Sequence, residues 1–292
     1  MSFDTELADA IGRASGTPFS VGSIRAVHGG DISQAFAISD GARRFFVKTV
    51  SASQVGLFEA EAAGLGELAA ANALRVPETV CHGVAAGRAY LVLEHLSLRA
   101  HGDAAQLGRQ LAQQHRASAP RFGGAHDNRI GATPQPNTWR DDWVDFWREQ
   151  RLGFQLQLAA RNGYRGALQR DGERLMAQLD GFFAGFRPAP SLLHGDLWGG
   201  NHGFLETGEP VIFDPAVYFG DRECDLAMSE LFGGFAADFF AAYREAWPLD
   251  TGYPVRKTLY NLYHILNHAN LFGGGYVVQA QRMLAQLLAE LR

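Results

Sequence analysis

Apolar and polar positions in the first third of the chain alternate in short runs that turn residues separate. Such runs are typical of strands, and they cover residues 23–28, 34–39, 44–50, 79–84 and 88–93. The dipeptide Asp40-Gly41 stands between the second and third runs and is a strong hairpin signal. Residues 55–73 instead carry apolar side chains at helical spacing. This part of the chain is therefore predicted to form a small sheet with one helix.

The pattern changes after Leu96, where apolar positions follow helical spacing over long stretches. The predicted helical stretches are residues 103–118, 139–161, 170–186, 225–247 and 256–291. Two irregular, glycine-containing segments, residues 122–137 and 192–223, interrupt them. Loops held on a helical scaffold often carry binding and catalytic residues, so these segments are the first candidates for a functional site.

The composition argues against several classes of protein. Of the 292 residues, 47% are hydrophobic and 20% are charged, as in globular domains. The formal net charge of -5 gives no electrostatic reason to expect a nucleic acid or an anionic membrane as partner. Cys81 and Cys224 lie far apart, which indicates neither a disulfide framework nor a zinc site. The N-terminus opens acidic and no apolar run approaches the length of a membrane span, so a cytoplasmic protein is expected.

One irregular segment contains residues suited to phosphoryl transfer. His194-Gly195-Asp196 is followed by Asn201, and an apolar run then ends at Asp214. The spacing from Asp196 to Asn201 matches the kinase catalytic loop H-R-D-x-x-x-x-N, with Gly195 in place of the arginine. Phosphoryl transfer requires a carboxylate that deprotonates the attacking hydroxyl, and oxygen ligands that hold Mg²⁺ on the phosphates. Asp196 is therefore predicted to be the catalytic base, and Asn201 and Asp214 are predicted to bind Mg²⁺. The alternative is that Asp196 is an ordinary turn residue.

A second set of candidates lies in the predicted sheet and its helix. Lys48 follows the apolar residues 45–47, where an unpaired ammonium would be costly to bury. Glu61 on the following helix is predicted to pair with Lys48, as in kinases, and Lys48 would also contact the α- and β-phosphates of ATP. Glu59 is the competing partner. For Lys48 itself the alternative is an edge-strand lysine whose ammonium extends to solvent.

Two further segments are candidates for nucleotide binding. Gly29, Gly30 and Ser33 lie in a turn between two predicted strands, where backbone N–H groups can contact phosphates. An ordinary hairpin would have the same sequence features. Three residues follow the last predicted strand, namely Glu94, His95 and Leu96. By analogy with kinases, their backbone groups would contact the edge of the adenine.

Much of the chain resembles one family of small-molecule kinases. The stretches 193–201 and 214–228 are similar to the signature of fructosamine kinases. Shorter matches are residues 127–131, 134–135, 137, 143, 151–152, 231–235, 260–264 and 267–268. Together with residues 47–48, 61 and 93–96, the resemblance extends over nearly the whole chain.

The resemblance implies ATP- and Mg²⁺-dependent phosphorylation of a sugar hydroxyl of ketoamines, the adducts that reducing sugars form with lysine amines. The phosphorylated adduct breaks down and returns the amine, so the expected partners are glycated amino acids, peptides or proteins. Trp198 is a candidate for contact with the sugar or the modified amine, with core packing as the alternative. His268 is a second candidate; its spacing from His264 on one helix is also a weak zinc signal, and packing is the expected role of His264. Asp225 resembles the buried aspartate that holds the catalytic loop of kinases, with a helix cap as the alternative.

The residues and the resemblance together imply an α+β fold with two lobes, like that of protein kinases. A small antiparallel sheet with one helix is expected over residues 1–95 and would bind the nucleotide. A larger, mainly helical lobe is expected over residues 96–292 and would carry catalysis and substrate binding. A monomer or a weak homodimer is expected. The nearest alternative function is a different small-molecule kinase of the same fold, of the aminoglycoside or choline type, and the second is a catalytically inactive nucleotide-binding module.

Overall fold

The computed structural model describes residues 1–27 and 33–291, and the chain divides into two compact units. The first unit comprises Met1–Asp103 and Gly203–Pro215, and the second comprises Ala104–His202 and Ala216–Arg292. The strands are β1 (Ser23–Val27), β2 (Gln34–Ser39), β3 (Arg44–Ser51), β4 (Thr79–Ala85), β5 (Arg88–Glu94), β6 (Asn128–Ile130), β7 (Thr133–Gln135), β8 (Ser191–Leu193), β9 (His202–Phe204), β10 (Pro210–Ile212) and β11 (Tyr218–Gly220). The α-helices are α1 (Phe3–Ser15), α2 (Val55–Ala70), α3 (Ala104–Gln114), α4 (Trp143–Phe146), α5 (Phe154–Arg161), α6 (Ala167–Met176), α7 (Glu223–Leu231), α8 (Ala237–Ala246), α9 (Tyr253–Phe272) and α10 (Gly275–Glu290). A π-helix, Trp147–Gly153, joins α4 to α5, and 3₁₀ turns span Ala52–Gln54 and Leu179–Phe183.

The five predicted strands of the first unit form one antiparallel sheet in the order β1-β2-β3-β5-β4. The predicted hairpin at Asp40-Gly41 joins β2 to β3. Asp40 stabilises this turn because its Oδ1 accepts the backbone N–H groups of Ala42 at 3.0 Å and Arg43 at 2.7 Å. Gly41 has a φ of 97°, which glycine adopts at little cost. The hairpin places β3 in the centre of the sheet.

The prediction of a single helix in this part of the chain is wrong, because α1 precedes the sheet. The hydroxyl of Ser2 caps α1 by accepting the backbone N–H of Thr5 at 3.3 Å. The buried apolar residues of α1 are Leu7, Ala8, Ala10 and Ile11. They share one core with Val47 of β3 and Val92 of β5. α1 therefore covers one face of the sheet, while α2 packs on β4 and β5 with Phe58 and Leu65 buried.

Residues Gly203–Pro215 belong to the first unit because backbone hydrogen bonds connect them to it. Arg99 and Phe204 exchange two backbone bonds of 2.8 and 2.9 Å, and the N–H of Ile212 donates to the carbonyl of Arg75 at 3.0 Å. This segment includes Asp214, so the first unit contains one of the predicted metal ligands. The compact units therefore do not meet at a single boundary at residue 95. The assignment of nucleotide binding to residues 1–95 and of catalysis to residues 96–292 stays a prediction.

Helices and buried aromatic side chains form the core of the second unit. Trp147 and Tyr260 pack edge to face with ring centroids 4.9 Å apart, and the Trp143 indole donates to the Tyr260 hydroxyl at 3.1 Å. Two of the predicted helices are each divided at glycines with positive φ: Gly233 and Gly234 separate α7 from α8, and Gly273 and Gly274 separate α9 from α10.

Among residues 1–27 and 33–291, no helix combines the length and apolar character needed to cross a membrane.

A buried ion pair joins α7 to α9. Arg256 donates through Nε and Nη2 to the two carboxylate oxygens of Glu223 at 2.8 and 3.0 Å, and Nη2 also donates to Asp250 at 2.7 Å. Arg256 and Glu223 are almost inaccessible to solvent. Burial raises the pKa of Glu223 to about 7, and the guanidinium of Arg256 opposes this shift. The two-pronged geometry is the strong form of an arginine–carboxylate pair.

The substitution Arg256→Met is expected to lower the free energy of unfolding at pH 8 by about 3–5 kcal/mol, because it leaves the Glu223 carboxylate buried without its cation. Denaturant unfolding measures this change. Arg99→Met is the control, since it removes an exposed pair with Glu206 at 3.1 Å and should cost less than about 1 kcal/mol. Similar losses in the two variants would contradict a stabilising role for the buried pair.

Candidate active site

Lys48 lies on β3, the central strand of the sheet, between Ala35 of β2 and Leu91 of β5. Only 7% of the residue is exposed. The alternative of an edge-strand lysine that extends to solvent is therefore wrong. Because side chains alternate along a strand, Lys48 faces away from the core that Val47 forms with α1.

The ammonium of Lys48 contacts two carboxylates within the first unit. Its Nζ lies 2.6 Å from Glu61 Oε1 and 2.5 Å from Asp214 Oδ1. The predicted contact of Lys48 with Glu61 on α2 is thus present, whereas Glu59, the competing partner, is exposed. The contact with Asp214 is not among the sequence predictions. This contact joins Lys48, which is predicted to bind the phosphates of the nucleotide, to Asp214, which is predicted to bind Mg²⁺.

Charge explains how this ammonium is tolerated inside the protein. Burial disfavours the charged form of Lys48, but Glu61 and Asp214 outweigh burial and raise the pKa of Lys48 above its ordinary value. Burial also raises the pKa of Glu61, which Lys48 opposes and Asp214 reinforces. Two carboxylates face one ammonium, so the ionised cluster carries a net negative charge. Such a cluster suits a divalent cation that binds through oxygen ligands.

Asp214 has a backbone conformation that few residues adopt. Its φ is 56°, in the left-handed region, and aspartate tolerates this region better than most residues that carry a Cβ. Strained backbone of this kind occurs most often at functional sites. In this chain Asp214 lies two residues after the end of β10, and the ion pair with Lys48 holds its side chain.

The loop that carries Asp196 is anchored by Asp225 of the second unit. The Asp225 carboxylate accepts the backbone N–H of His194 at 2.7 Å and that of Gly195 at 2.8 Å. His115 Nε2 lies 3.1 Å from the same carboxylate. Asp225 is the third residue of α7 and is buried, so the predicted holding role is confirmed and the helix-cap alternative is wrong. Burial would raise the pKa of Asp225, but His115 and the backbone donors hold it below its ordinary value.

His115 is a member of this anchor that the sequence did not reveal. The residue is fully buried just after α3, and its Nδ1 lies 2.8 Å from the hydroxyl of Tyr243 on α8. A lone histidine in a helical stretch is not part of any motif, so no sequence signal pointed to it. The anchor therefore combines residues from three separate helical regions.

Steric limits explain why glycine precedes Asp196. Gly195 has a φ of 82°, and a Cβ at this position would lie 2.0 Å from the carbonyl oxygen of Ala216. The backbone N–H of Ala216 in turn donates to the carbonyl of His194 at 2.8 Å. The side chain of any larger residue, including the arginine of protein kinases, would push the backbone of Gly195 away from that of Ala216.

Asn201 lies close to Asp196 in the same loop. Its Nδ2 donates to the backbone carbonyl of Asp196 at 2.9 Å and to Asp196 Oδ2 at 3.3 Å. The backbone N–H of Asn201 donates to the carbonyl of Trp198 at 2.9 Å, which closes the turn. Since the amide nitrogen faces Asp196, the atom that Asn201 would offer to Mg²⁺ is its Oδ1.

A polar hairpin supports the segment that follows Asp214. Strands β6 and β7 pair, and Asn128 Nδ2 donates to the carbonyl of Val217 at 2.7 Å. Gln135 Nε2 donates to the carbonyl of Ala216 at 3.1 Å and to Asn128 Oδ1 at 2.8 Å. Asn128 and Gln135 appeared in the sequence only as part of a family resemblance. Here they fix the backbone that packs against Gly195.

Trp198 is exposed on the catalytic loop, with 41% of the residue accessible to solvent. The core-packing alternative for this residue is therefore wrong. Its ring lies against Gly200, where a Cβ would come within 2.2 Å of the ring. An exposed indole two residues from Asp196 fits the predicted contact with an acceptor, and that role stays a prediction.

His268 and His264 have different surroundings on α9. His268 Nδ1 is 2.8 Å from the carbonyl of His264, and its ring packs against Phe232 with centroids 5.0 Å apart. His264 is buried, and burial lowers its pKa to about 3, so it is neutral at physiological pH. The packing role predicted for His264 fits these facts. No group of three or more metal-binding side chains occurs in the described part of the chain, so the zinc signal gains no support.

The three residues proposed to meet adenine lie at the end of β5. The backbone N–H of Glu94 already donates to the carbonyl of Glu78 at 2.9 Å, and the Glu94 carboxylate pairs with Arg75. His95 and Leu96 follow and are half-buried. Burial and the nearby Arg44 lower the pKa of His95. A contact between this segment and adenine would therefore use groups other than the Glu94 N–H.

The predicted phosphate-binding turn is only partly described. Ser33 directly precedes β2 and is half-buried. Gly29 and Gly30 lie outside the described residues. Their contact with phosphates stays a prediction.

Known proteins similar to this chain bear on what the site does. The sequence matches the family model of fructosamine kinases over residues 3–290. It is 49% identical over 285 residues to a Synechocystis protein named "Probable ketoamine kinase", which covers 97% of this chain and 96% of the relative. It is 40% identical over 273 residues to the chloroplastic protein-ribulosamine 3-kinase of Oryza sativa subsp. japonica, with 92% and 80% covered.

Solved structures agree with this assignment. A Haemophilus somnus structure described as a "Putative fructosamine-3-kinase" matches with a TM-score of 0.89 and 29% identity, over 97% of this chain and 96% of that one. The aminoglycoside phosphotransferase APH(4)-Ia, in complex with ADP and hygromycin B, matches with a TM-score of 0.63 over 99% and 98% of the chains, and at 16% identity it shows the fold alone. The predicted α+β fold of the protein-kinase type, with a small antiparallel sheet and a helical remainder, is confirmed. The chain belongs to the fructosamine kinase family.

Proposed function

We propose that this protein is a ketoamine kinase, which transfers the γ-phosphoryl group of ATP to a sugar hydroxyl of a ketoamine. The observation that carries the proposal is the anchored Asp196 loop in a chain 49% identical to a protein named as a ketoamine kinase. Phosphorylated ketoamines break down and return the amine, so the reaction would lead to deglycation of the acceptor. Fructosamine and ribulosamine adducts of lysine are the proposed acceptors.

Asp196 is proposed as the catalytic base. Its carboxylate accepts the proton of the attacking hydroxyl while the hydroxyl oxygen forms a bond to the γ-phosphorus and the bond to the bridging oxygen of ADP breaks. Asn201 orients this carboxylate through the bond from Nδ2 to Oδ2 at 3.3 Å. The anchor from Asp225 to the backbone of His194 and Gly195 keeps the loop in the required conformation, which lowers the cost of positioning in the transition state.

The nucleotide-binding side is assigned to Lys48, Glu61 and Asp214. Lys48 is proposed to contact the α- and β-phosphates, with Glu61 fixing its ammonium. Asn201 and Asp214 supply the hard oxygen donors that Mg²⁺ prefers, and the negative charge of the Lys48 cluster fits a cation there. When bound, Mg²⁺ neutralises charge on the phosphates. Backbone groups of Glu94, His95 and Leu96 are proposed to meet the adenine.

Trp198 and His268 are proposed to face the acceptor. The exposed indole of Trp198 offers an apolar surface for a sugar ring or a lysine side chain. His268 adds a ring nitrogen that can hydrogen-bond a hydroxyl. Glycated amines are the proposed partners, and a cytoplasmic monomer or weak homodimer without nucleic acid stays the expectation.

The main alternative is a small-molecule kinase that acts on another hydroxyl acceptor. Aminoglycoside phosphotransferases share the fold, so the fold alone does not separate the two functions. The second alternative, an inactive nucleotide-binding module, is disfavoured because Lys48, Asp196, Asn201 and Asp214 are all present in this chain. Acceptor specificity separates these functions.

With ATP and Mg²⁺, ADP release is expected with ribulose-lysine or fructose-lysine as acceptor, and not with kanamycin, choline or homoserine. Asp196→Asn should lower kcat by about 10²–10⁴-fold with little change in ATP affinity, because it removes the base and keeps the side-chain shape. Asp238→Asn, an exposed site on α8, is the control. Turnover of kanamycin, choline or homoserine alone would refute the acceptor class, and near-normal turnover in Asp196→Asn would refute the base.

Substitutions around Lys48 test the nucleotide-binding assignment. Lys48→Met should raise KM for ATP and lower kcat by about 10²-fold, because a preorganised cation is lost. Glu61→Gln should shift both constants in the same directions by a smaller factor, since Asp214 still holds the ammonium. Glu59→Gln is the matched control on the same helix and should have no effect. If Lys48→Met leaves both constants unchanged, another cation binds the phosphates.

A further inference from the structure

The second unit exposes several large apolar side chains around the ends of α7 and α9. The large hydrophobic residues that are exposed in this unit, within its described residues, are Trp198, Phe232, Leu271, Phe272 and Val278. They belong to the catalytic loop, the end of α7, the end of α9 and the first turns of α10. A group of exposed apolar side chains marks an interaction site more often than single exposed residues do.

Four aromatic side chains in this region form a continuous strip. The aromatic strip consists of Phe232, His268, Phe272 and Tyr276. The ring of His268 lies 5.0 Å from Phe232, 5.6 Å from Phe272 and 5.0 Å from Tyr276, measured between centroids. Phe272 is 58% exposed although its backbone lies in a helix, because the glycines that follow it end α9 there. Phe232 is also exposed, whereas His268 and Tyr276 are half-buried, so the strip is partly open to solvent.

The strip begins beside the catalytic loop. Phe232 is followed by Gly233 and Gly234, whose φ values of 75° and 99° turn the chain toward Gly199. A Cβ on Gly199 would lie 2.7 Å from the carbonyl oxygen of Gly233 and 3.0 Å from Cα of Gly234. These backbones are thus in direct contact, one residue from Trp198. An acceptor bound at Asp196 would have the strip next to it.

The two segments that carry the strip lack charged side chains. Residues 258–281 contain no Asp, Glu, Lys or Arg, and neither do residues 231–237. A free amino acid carries an α-ammonium and an α-carboxylate, which lose solvation without a charged partner when they meet an apolar surface. A lysine within a polypeptide lacks both charges, and its neighbours can add apolar side chains. The absence of charge therefore favours a polypeptide as the occupant.

We propose that the aromatic strip binds the polypeptide segment around a ketoamine-modified lysine, with a preference for apolar residues beside that lysine. The proposal rests on the proposed function, because it identifies the carrier of the sugar that Asp196 would address. A second copy of this chain is the competing occupant. It is disfavoured because it would cover the backbone next to the catalytic loop and restrict access to Asp196.

Short acetylated and amidated peptides with one ribulosyl-lysine test this proposal. The lysine is flanked by leucines in one peptide and by glycines in another, and free ribulose-lysine is the third acceptor. Wild-type kcat/KM should be about 10-fold higher for the leucine peptide than for the glycine peptide, because flanking apolar area is buried. Phe272→Ser should remove this preference through KM and leave kcat/KM for free ribulose-lysine unchanged. Val84→Ser, an exposed apolar site on β4, is the control and should change none of the three.

Fluorescence anisotropy of the labelled peptides, with and without Phe272→Ser, gives a second readout that does not require turnover. Loss of leucine-peptide binding in the variant supports the strip even if no ribulose-lysine is phosphorylated. Absence of ribulose-lysine phosphorylation would refute the proposed function and leave the peptide-binding result standing. Equal kcat/KM for the two peptides in the wild type would overturn the strip. The strip would also be overturned if Phe272→Ser lowered kcat/KM for free ribulose-lysine by the same factor as for the leucine peptide. A third contradicting result would be a dimer in sedimentation that Phe272→Ser dissociates without changing the peptide preference.

Discussion

A charged group can remain inside a protein only where opposite charge or hydrogen-bonding groups replace the water that it loses, and each unit of this chain contains an arrangement that depends on that constraint. In the first unit, the ammonium of Lys48 is buried in the centre of the sheet and contacts Glu61 and Asp214. In the second, the carboxylate of Asp225 is buried and contacts two backbone N–H groups and His115. Each arrangement fixes groups that phosphoryl transfer requires, because a buried charge cannot leave its partners at low cost.

Backbone geometry adds a second constraint. Asp214 and Gly195 both occupy the left-handed region, at φ values of 56° and 82°. Gly195 is required because the carbonyl of Ala216 occupies the space of a side chain. The segment after Asp214 is in turn held by Asn128 and Gln135. The loop of Asp196 therefore depends on the hairpin of β6 and β7 as well as on the kinase-like motif.

Local sequence predicted the parts of the fold that local forces determine. Alternation and the Asp40-Gly41 turn predicted β2 and β3, and the cost of burying Lys48 pointed to an anionic partner, which analogy with kinases identified as Glu61. The contact of Lys48 with Asp214 was missed because the two are 166 positions apart and only tertiary structure joins them. The role of His115 was missed for the same reason. α1 was not predicted, although it is amphipathic, and the divisions of the later helices depend on glycine conformations that periodicity does not report.

Identification of the reaction product is the sharpest test that this protein transfers phosphate to a ketoamine hydroxyl. After incubation with ATP, Mg²⁺ and ribulose-lysine, ³¹P NMR and mass spectrometry would follow the phosphorus. We expect a phosphomonoester on the sugar, formed in step with ADP, and then free lysine as the adduct breaks down. Inorganic phosphate formed in step with ADP, with the ketoamine unchanged, would contradict it.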